Sequence, residues 1–276
     1  MQQLIVNLHR RETANVGDQR SAPLNYFDIS ERQRTMEITG WKREDEKMRL
    51  KWMEQFSLAA GIIYGGGGLM EFEKYESSLR FVADNKKKTV IWGAGHNTAN
   101  ASWAQLKPRF KMDYSGFGLI GCRDFGYEDK FFEWVPCASC MHTAFDKEYS
   151  VDKEIAFFGN SGMKGFEKFI PEGISESAIM FNIKQPIEDV ISFLASAETI
   201  VSSSYHGVYW ASLLGKKVVG VPTSSKFYGL KHPIPICAAS DWQRYRKLAT
   251  AYPEALFECR QANIKFSEKV SDYFFG

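Results

Sequence analysis

The chain has 276 residues and a mass of 31.5 kDa, with 44% hydrophobic and 25% charged residues. That balance excludes a disordered chain, and the length favours two compact domains over one. A net charge of +2 is too small to draw the chain to nucleic acid, and no apolar run approaches the roughly 18 residues of a membrane span.

Strand and helix patterns alternate along the chain. Residues 3–8 read as a strand, 10–23 as a polar turn region followed by a short helix, and 34–39 as a second strand. Residues 44–59 read as a helix with Met48, Trp52, Phe56 and Ala59 on one face. A short buried strand at 61–64 runs into four glycines at 65–68, and 69–83 is helical again. Strands at 89–92 and 117–121 complete the first set, the former followed by Gly93-Ala94-Gly95-His96. After a linker at 141–153, strands are expected at 154–158, 177–183, 199–202 and 217–221. Between them lie helices at 187–197, opened by Pro186, and at 208–214. From Asp241 the chain reads as helical to residue 276. Such alternation predicts parallel sheets covered by helices on both faces, with ligands at the carboxyl ends of the strands.

The first residues run directly into a strand, without a basic segment or a signal-type cleavage site, so a cytoplasmic protein is expected. Basic clusters at 86–88, 216–217 and 244–247 read as solvated faces. They also suit a peripheral contact with an anionic membrane leaflet. Five cysteines argue against a disulfide framework, and Cys137-Ala138-Ser139-Cys140 is a lone CxxC. Buried thiols are expected there, and no metal.

The most informative segment is 199–211. Ile200-Val201 ends a strand, Ser202, Ser203 and Ser204 follow, and Tyr205-His206-Gly207 leads into a helix. First-turn amides lack partners and the helix dipole is positive there, so the turn reads as an anion site. His206 beside it reads as an acid–base group acting on a phosphorylated substrate. The plainer reading is a satisfied histidine in a strand–helix turn. In the N-terminal half, glycine-bearing loops follow three strands. They hold Asn15-Val16-Gly17-Asp18, Gly67 and Gly68 of the glycine run, and Gly93-Ala94-Gly95-His96. None matches GxGxxG or GxxxxGK[ST], which argues against a nicotinamide or a nucleoside triphosphate. Asn15 reads as a cap or a ligand, and Asp18 as a base or an acceptor of sugar hydroxyls. Arg123, followed by Asp124, reads equally as half of a surface ion pair or as an anion ligand. Lys164, Lys184 and Lys226 lie in or near post-strand loops of the second half.

In this order, the Asn15-x-Gly17-Asp18 loop, the glycine run, Gly93-Ala94-Gly95, Cys122-Arg123-Asp124 and Ser204-Tyr205-His206-Gly207 resemble the polysaccharide pyruvyl transferases. The resemblance covers roughly residues 5–225, is strongest to the compact bacterial ketal pyruvyl transferases of the xanthan type, and includes Trp134 to Met141. It implies an α/β fold of two Rossmann-like domains with a cleft between them, as in GT-B glycosyltransferases. The acceptor-side domain would span 1–146 and the donor-side domain 147–240, with helices at 241–276 packing back across both. It also implies a transferase that uses phosphoenolpyruvate as co-substrate, with no other cofactor. The product is a pyruvate ketal on two hydroxyls of a glycan, commonly a lipid-linked one. On this reading His206 is the catalytic acid and Asp18 the base. Ser202, Ser203, Ser204, Gly207, Lys226, Lys164 and Arg123 bind the donor, while Asn15, Gly17, Gly67, Gly68 and His96 bind the acceptor. The family carries an arginine two residues before the histidine, where this chain has Ser204. The missing charge is expected from Lys226, Lys164 or Arg123. Arg123 ranks last, because Asp124 beside it would hold it on the first domain. Two other classes stay open: a nucleotide-sugar glycosyltransferase of the same architecture, and a non-catalytic carbohydrate-binding scaffold.

Overall fold

The computed structural model describes residues 3–98, 110–127, 132–161, 165–172 and 174–276. Lys164 lies outside the described residues. Seven strands form a first sheet: β1 (Leu4–His9), β2 (Gln33–Glu37), β3 (Ala59–Tyr64), β4 (Gly67–Met70), β5 (Lys88–His96), β6 (Leu119–Cys122) and β7 (Phe132–Trp134). Their order is β2-β1-β3-β5-β6-β7, with β4 also paired to β5. A second sheet holds β8 (Lys153–Gly159), β9 (Ile179–Phe181), β10 (Ala197–Ser202) and β11 (Lys217–Gly220), in the order β11-β10-β8-β9. Every pairing in both is parallel. Parallel strands are covered on both faces and so read as unbroken apolar runs. Ile62-Ile63-Tyr64 and Val90-Ile91-Trp92 are such runs, and all six residues are fully buried.

The helices are α1 (Val16–Gln19), α2 (Glu46–Leu58), α3 (Glu73–Ala83), α4 (Ile187–Ala195), α5 (Tyr205–Leu213), α6 (Trp242–Arg246) and α7 (Ala255–Phe275). In α3 the spacing of Tyr75, Leu79 and Val82 buries one stripe. In α4 Ile187, Val190, Ile191 and Leu194 do the same. All nine residues of α5 are buried, which its apolar composition on every side permits. On α2 only Trp52 and Phe56 are buried, so the apolar face is narrower than expected and Met48 is exposed.

Two expectations are corrected. The helix expected at 69–83 begins only at Glu73, because residues 67–70 form β4, entered through Gly65 (φ 142°) and Gly67 (φ 94°) in conformations that no right-handed helix contains. Gly93-Ala94-Gly95-His96 is not a loop but the continuation of β5. Gly93, at φ 65°, lets the strand slip register against β6 between Trp92 and Ala94.

The sheets have separate cores, and α7 joins them. Ala255 and Cys259 at its start belong to the core under the second sheet. Phe266, Val270 and Phe274 pack on Ile5, Ile63, Val90 and Trp92 of the first. At the crossing, Asn263 accepts a hydrogen bond from Trp92 Nε1 (2.9 Å) and donates to the Pro136 carbonyl (3.1 Å). Among the described residues, no helix is long and apolar enough to cross a membrane.

Candidate active site

In a doubly wound sheet the crevice opens where the strand order reverses. In the first sheet that point is β1, which has β2 on one side and β3 on the other. In the second it is β8, flanked by β9 and β10. Both open on one cavity of about 320 Å³. From the first sheet it receives His9 at the end of β1 and Arg10 beyond it, Gly66 after β3, Gly67 to Leu69 of β4, and Arg123 after β6. From the second come Asn160 and Ser161 after β8, Tyr205 and His206 after β10, and Lys226 after β11. The loop before α1 closes one side. It bridges Asn15 to Ile183, with Val16 N–H donating to the Asn182 carbonyl (3.1 Å) and Lys184 N–H to that of Ala14 (2.9 Å).

Cations dominate the walls. Arg123 is only 3% exposed, yet its Nε and Nη2 find no hydrogen-bond partner among the described residues. Its guanidinium lies over the Tyr205 ring at 4.0 Å from the centroid. Asp124 does not pair with it. The carboxylate instead accepts from His96 N–H (2.5 Å) and the Cys122 thiol (3.8 Å), wedged against Gly95 and Gly229. Burial pushes its pKa up to about 6. Lys226 has no hydrogen bond or ion pair among the described residues. Burial, then the charges of Arg123 and Arg10, lower its pKa to about 8 against the opposing pull of Asp18. A buried guanidinium with unmet donors is costly unless something accepts from it, and the chemistry of this wall suits an anion.

His206 stands where the two halves touch. Its Nε2 lies 3.6 Å from the Cys137 thiol, Trp210 packs at 5.1 Å between ring centroids, and Nδ1 faces Gly17. Burial, then the positive charges of Arg123, Lys226 and His9, hold its pKa well below the usual 6.5, so the ring is neutral at pH 7. Burial pushes the Cys137 thiol up, so it stays protonated. Donation from that thiol to Nε2 would leave the ring proton on Nδ1.

The expected residues separate into three groups. Asn15, Asp18, Gly67, Gly68, Arg123, Lys226 and His206 line the cavity. Asn15 also caps α1, accepting from Gly17 N–H (3.0 Å) and Asp18 N–H (3.2 Å), and Asp18 is ion-paired to Arg10 at 2.5 Å. Ser202, Ser203 and Ser204 do not line it, because their hydroxyls serve the turn itself. Ser202 Oγ donates to the Phe158 carbonyl, Ser203 Oγ accepts from Asn160 N–H, and Ser204 Oγ caps α5 at Gly207. The third group holds the glycines and His96. Gly17 and Gly207 are close-contact glycines: an added Cβ would lie 2.0 Å from His206 Nδ1 and 2.3 Å from Phe158, respectively. His96 ties the halves together through Ser225 Oγ (2.7 Å) and is not in the cavity wall. Unforeseen were His9, Arg10, Tyr75, Asn160 and Tyr205. His9 at the end of an apolar run was the one with a readable signal.

Two parallel sheets that meet at their switch points across a cleft define a GT-B type fold. No known family profile matches the chain, and no curated protein matches it. Solved structures do. MnaA of S. aureus, determined with UDP, superposes with a TM-score of 0.56 over 99% of this chain and 97% of that one, at 10% identity. An uncharacterized protein from Klebsiella pneumoniae is 17% identical over 80% of this chain and 83% of that one, with a TM-score of 0.46. The UDP-GlcNAc 2-epimerase of Neisseria meningitidis, bound to UDP-GlcNAc, covers 100% and 94% at 9% identity, with a TM-score of 0.44. At 10% identity the likeness to MnaA is one of fold alone.

Proposed function

We propose that the protein is a glycan-modifying transferase that moves the pyruvyl group of phosphoenolpyruvate onto two hydroxyls of a sugar, as a ketal. The observation that carries this reading is Arg123, a buried guanidinium with unmet N–H groups in the same cavity wall as Lys226 and His206. Phosphoenolpyruvate carries a phosphate and a carboxylate on three carbons. An arginine fork suits paired oxygens, and a lysine suits phosphate as a point charge. A cavity of about 320 Å³ is at the small end for ligand sites, which favours a compact donor beside one sugar over an entire nucleotide sugar.

Bound dianion offsets the charges of Arg123 and Lys226 and so raises the pKa of His206. The donor thereby loads its own acid. His206 protonates the methylene carbon, C2 becomes electrophilic, a sugar hydroxyl adds there, and phosphate leaves as the second hydroxyl closes the ketal. Asp18, steadied by Arg10, offers the acceptor hydroxyls a hydrogen-bond acceptor. A general acid of this kind contributes on the order of 100- to 10,000-fold. The test is calorimetry with phosphoenolpyruvate and with UDP-sugars, and mass spectrometry of simple hexosides incubated with phosphoenolpyruvate. Donor binding with a pyruvylidene adduct and released phosphate supports the proposal. Binding of a UDP-sugar alone assigns the cavity to glycosyl transfer. Binding of neither refutes both.

A further inference from the structure

His9 ends β1 at the first switch point and lines the cavity. It is 1% exposed, and among the described residues neither ring nitrogen has a partner at full hydrogen-bond geometry, the Asp18 and Gly66 backbones making only weak approaches to the ring. An imidazole buried with its nitrogens so poorly met costs stability. The nearby carboxylates are engaged elsewhere. Glu37 accepts from the amides of Arg11 and Glu12 (2.8 Å each) and from the Thr39 hydroxyl (3.2 Å). Asp18 accepts from Arg10 Nη1 at 2.5 Å. A base needs a free lone pair, and a carboxylate clamped by a guanidinium is a poor one. A neutral imidazole always presents one bare nitrogen. Building on the pyruvyl-transfer reading, we propose that His9 is the base that deprotonates the attacking sugar hydroxyl, while Asp18 holds the acceptor in place.

Burial lowers the pKa of His9, and the Asp18 backbone, the Asp18 and Glu37 carboxylates and the Gly66 backbone only partly oppose that, so the ring is neutral and able to accept. The proton count of the reaction needs two carriers. Ketal formation takes two protons from two hydroxyls and delivers one to carbon and one to phosphate. In the first step protonated His206 gives its proton to C3. The hydroxyl oxygen bonds to C2, and His9 takes the hydroxyl proton. In the second step the C2–O bond to phosphate breaks with its electron pair, and protonated His9 returns a proton to the departing phosphate. The second hydroxyl then bonds to C2 and its proton restores His206. Both imidazoles end as they began.

The test uses the whole chain with His9→Asn and His9→Gln, which preserve size and one polar atom. The probes are phosphoenolpyruvate and the methyl glycosides of glucose, galactose and mannose. Turnover should fall about 100-fold or more. Phosphoenolpyruvate affinity should stay within twofold and acceptor KM within about threefold. The acid limb of the kcat profile, set by His9 among Asp18, Arg10, Glu37, Tyr75 and His206, should vanish. Asp18→Asn should instead raise acceptor KM more than it lowers kcat. Nitrogen-15 spectra of wild-type histidines should show His9 titrating below pH 6.5, a readout that survives if neither variant folds. His9 protonated at pH 7 overturns the proposal, as does kcat within threefold of wild type in either variant. Failure of wild type to bind phosphoenolpyruvate, or to release phosphate with every glycoside, overturns the pyruvyl-transfer reading itself.

Discussion

Gly17→Ala tests the contact on which the site depends. The added methyl would lie 2.0 Å from His206 Nδ1, 2.3 Å from Cγ and 2.7 Å from Cβ. Ordinary contact is about 3.4 Å, so the ring would have to retreat by about 1.4 Å. It has nowhere to go. Cys137 stands at 3.6 Å from its other nitrogen, Trp210 packs beside it, and α5 is buried throughout. Either α1 moves outward or the halves part. Overpacking of this kind costs about 1–3 kcal/mol, and in a large domain each kcal/mol lowers Tm by about 2–4 °C. A displacement near 1 Å costs about 100-fold in turnover. Thermal melting and phosphate release from phosphoenolpyruvate would read the two effects together. A Gly17→Ala protein with wild-type melting and turnover would refute the close approach of α1 to α5, and with it the placement of the acid.

Arg123→Gln should weaken phosphoenolpyruvate binding about 10- to 100-fold in calorimetry while leaving the empty protein as stable or more so, because it removes a buried unpaired charge. Lower stability without a change in affinity would contradict this. His206→Gln should melt like wild type and lose at least about 100-fold in turnover, measured as phosphate release. Donor binding should take up protons. At pH 8 the lysine near a pKa of 8 takes up as much as about half a proton as the bound anion raises it, which binding enthalpies in buffers of different ionisation heat would reveal. Stability should fall between about pH 7 and 5. The unfolded chain protonates the two histidines near 6.5, while the folded chain, with His9 and His206 both lowered, resists. Asp124, raised to about 6, acts oppositely as pH falls from 6 toward 4, so a melting curve that rises across the whole range would contradict the balance.

Much of the fold was legible because parallel strands declare themselves. Ile62-Ile63 and Val90-Ile91 need no partner in sequence to read as buried, and Pro186 ahead of a periodic apolar run marks the start of α4. The site was harder to read, because the same residue types serve ligand and protein alike. Gly17, Gly95 and Gly207 are small for the sake of a neighbouring side chain, not a substrate. A serine that caps a helix looks like a serine that binds phosphate, so residues 202–204 misled. Arg123 and Asp124 are adjacent in sequence, but Asp124 is drawn to the His96 amide and leaves Arg123 unpaired. The surroundings of His9 come from residues 18, 37, 66 and 206, which no local pattern brings together.

The return of α7 sets an order on biosynthesis. Trp92 and Asn263 are 171 residues apart, and the face formed by Ile5, Ile63, Val90 and Trp92 is covered by Phe266, Val270 and Phe274 of α7, with Leu24, Phe27, Ile29 and Val135 beside them. At about 5–20 residues per second, translation separates the two by about 10–30 s. For that interval the part of the nascent first sheet that α7 will cover presents a sticky apolar surface to solvent or to a chaperone. The half that is made first is therefore among the last parts to become native.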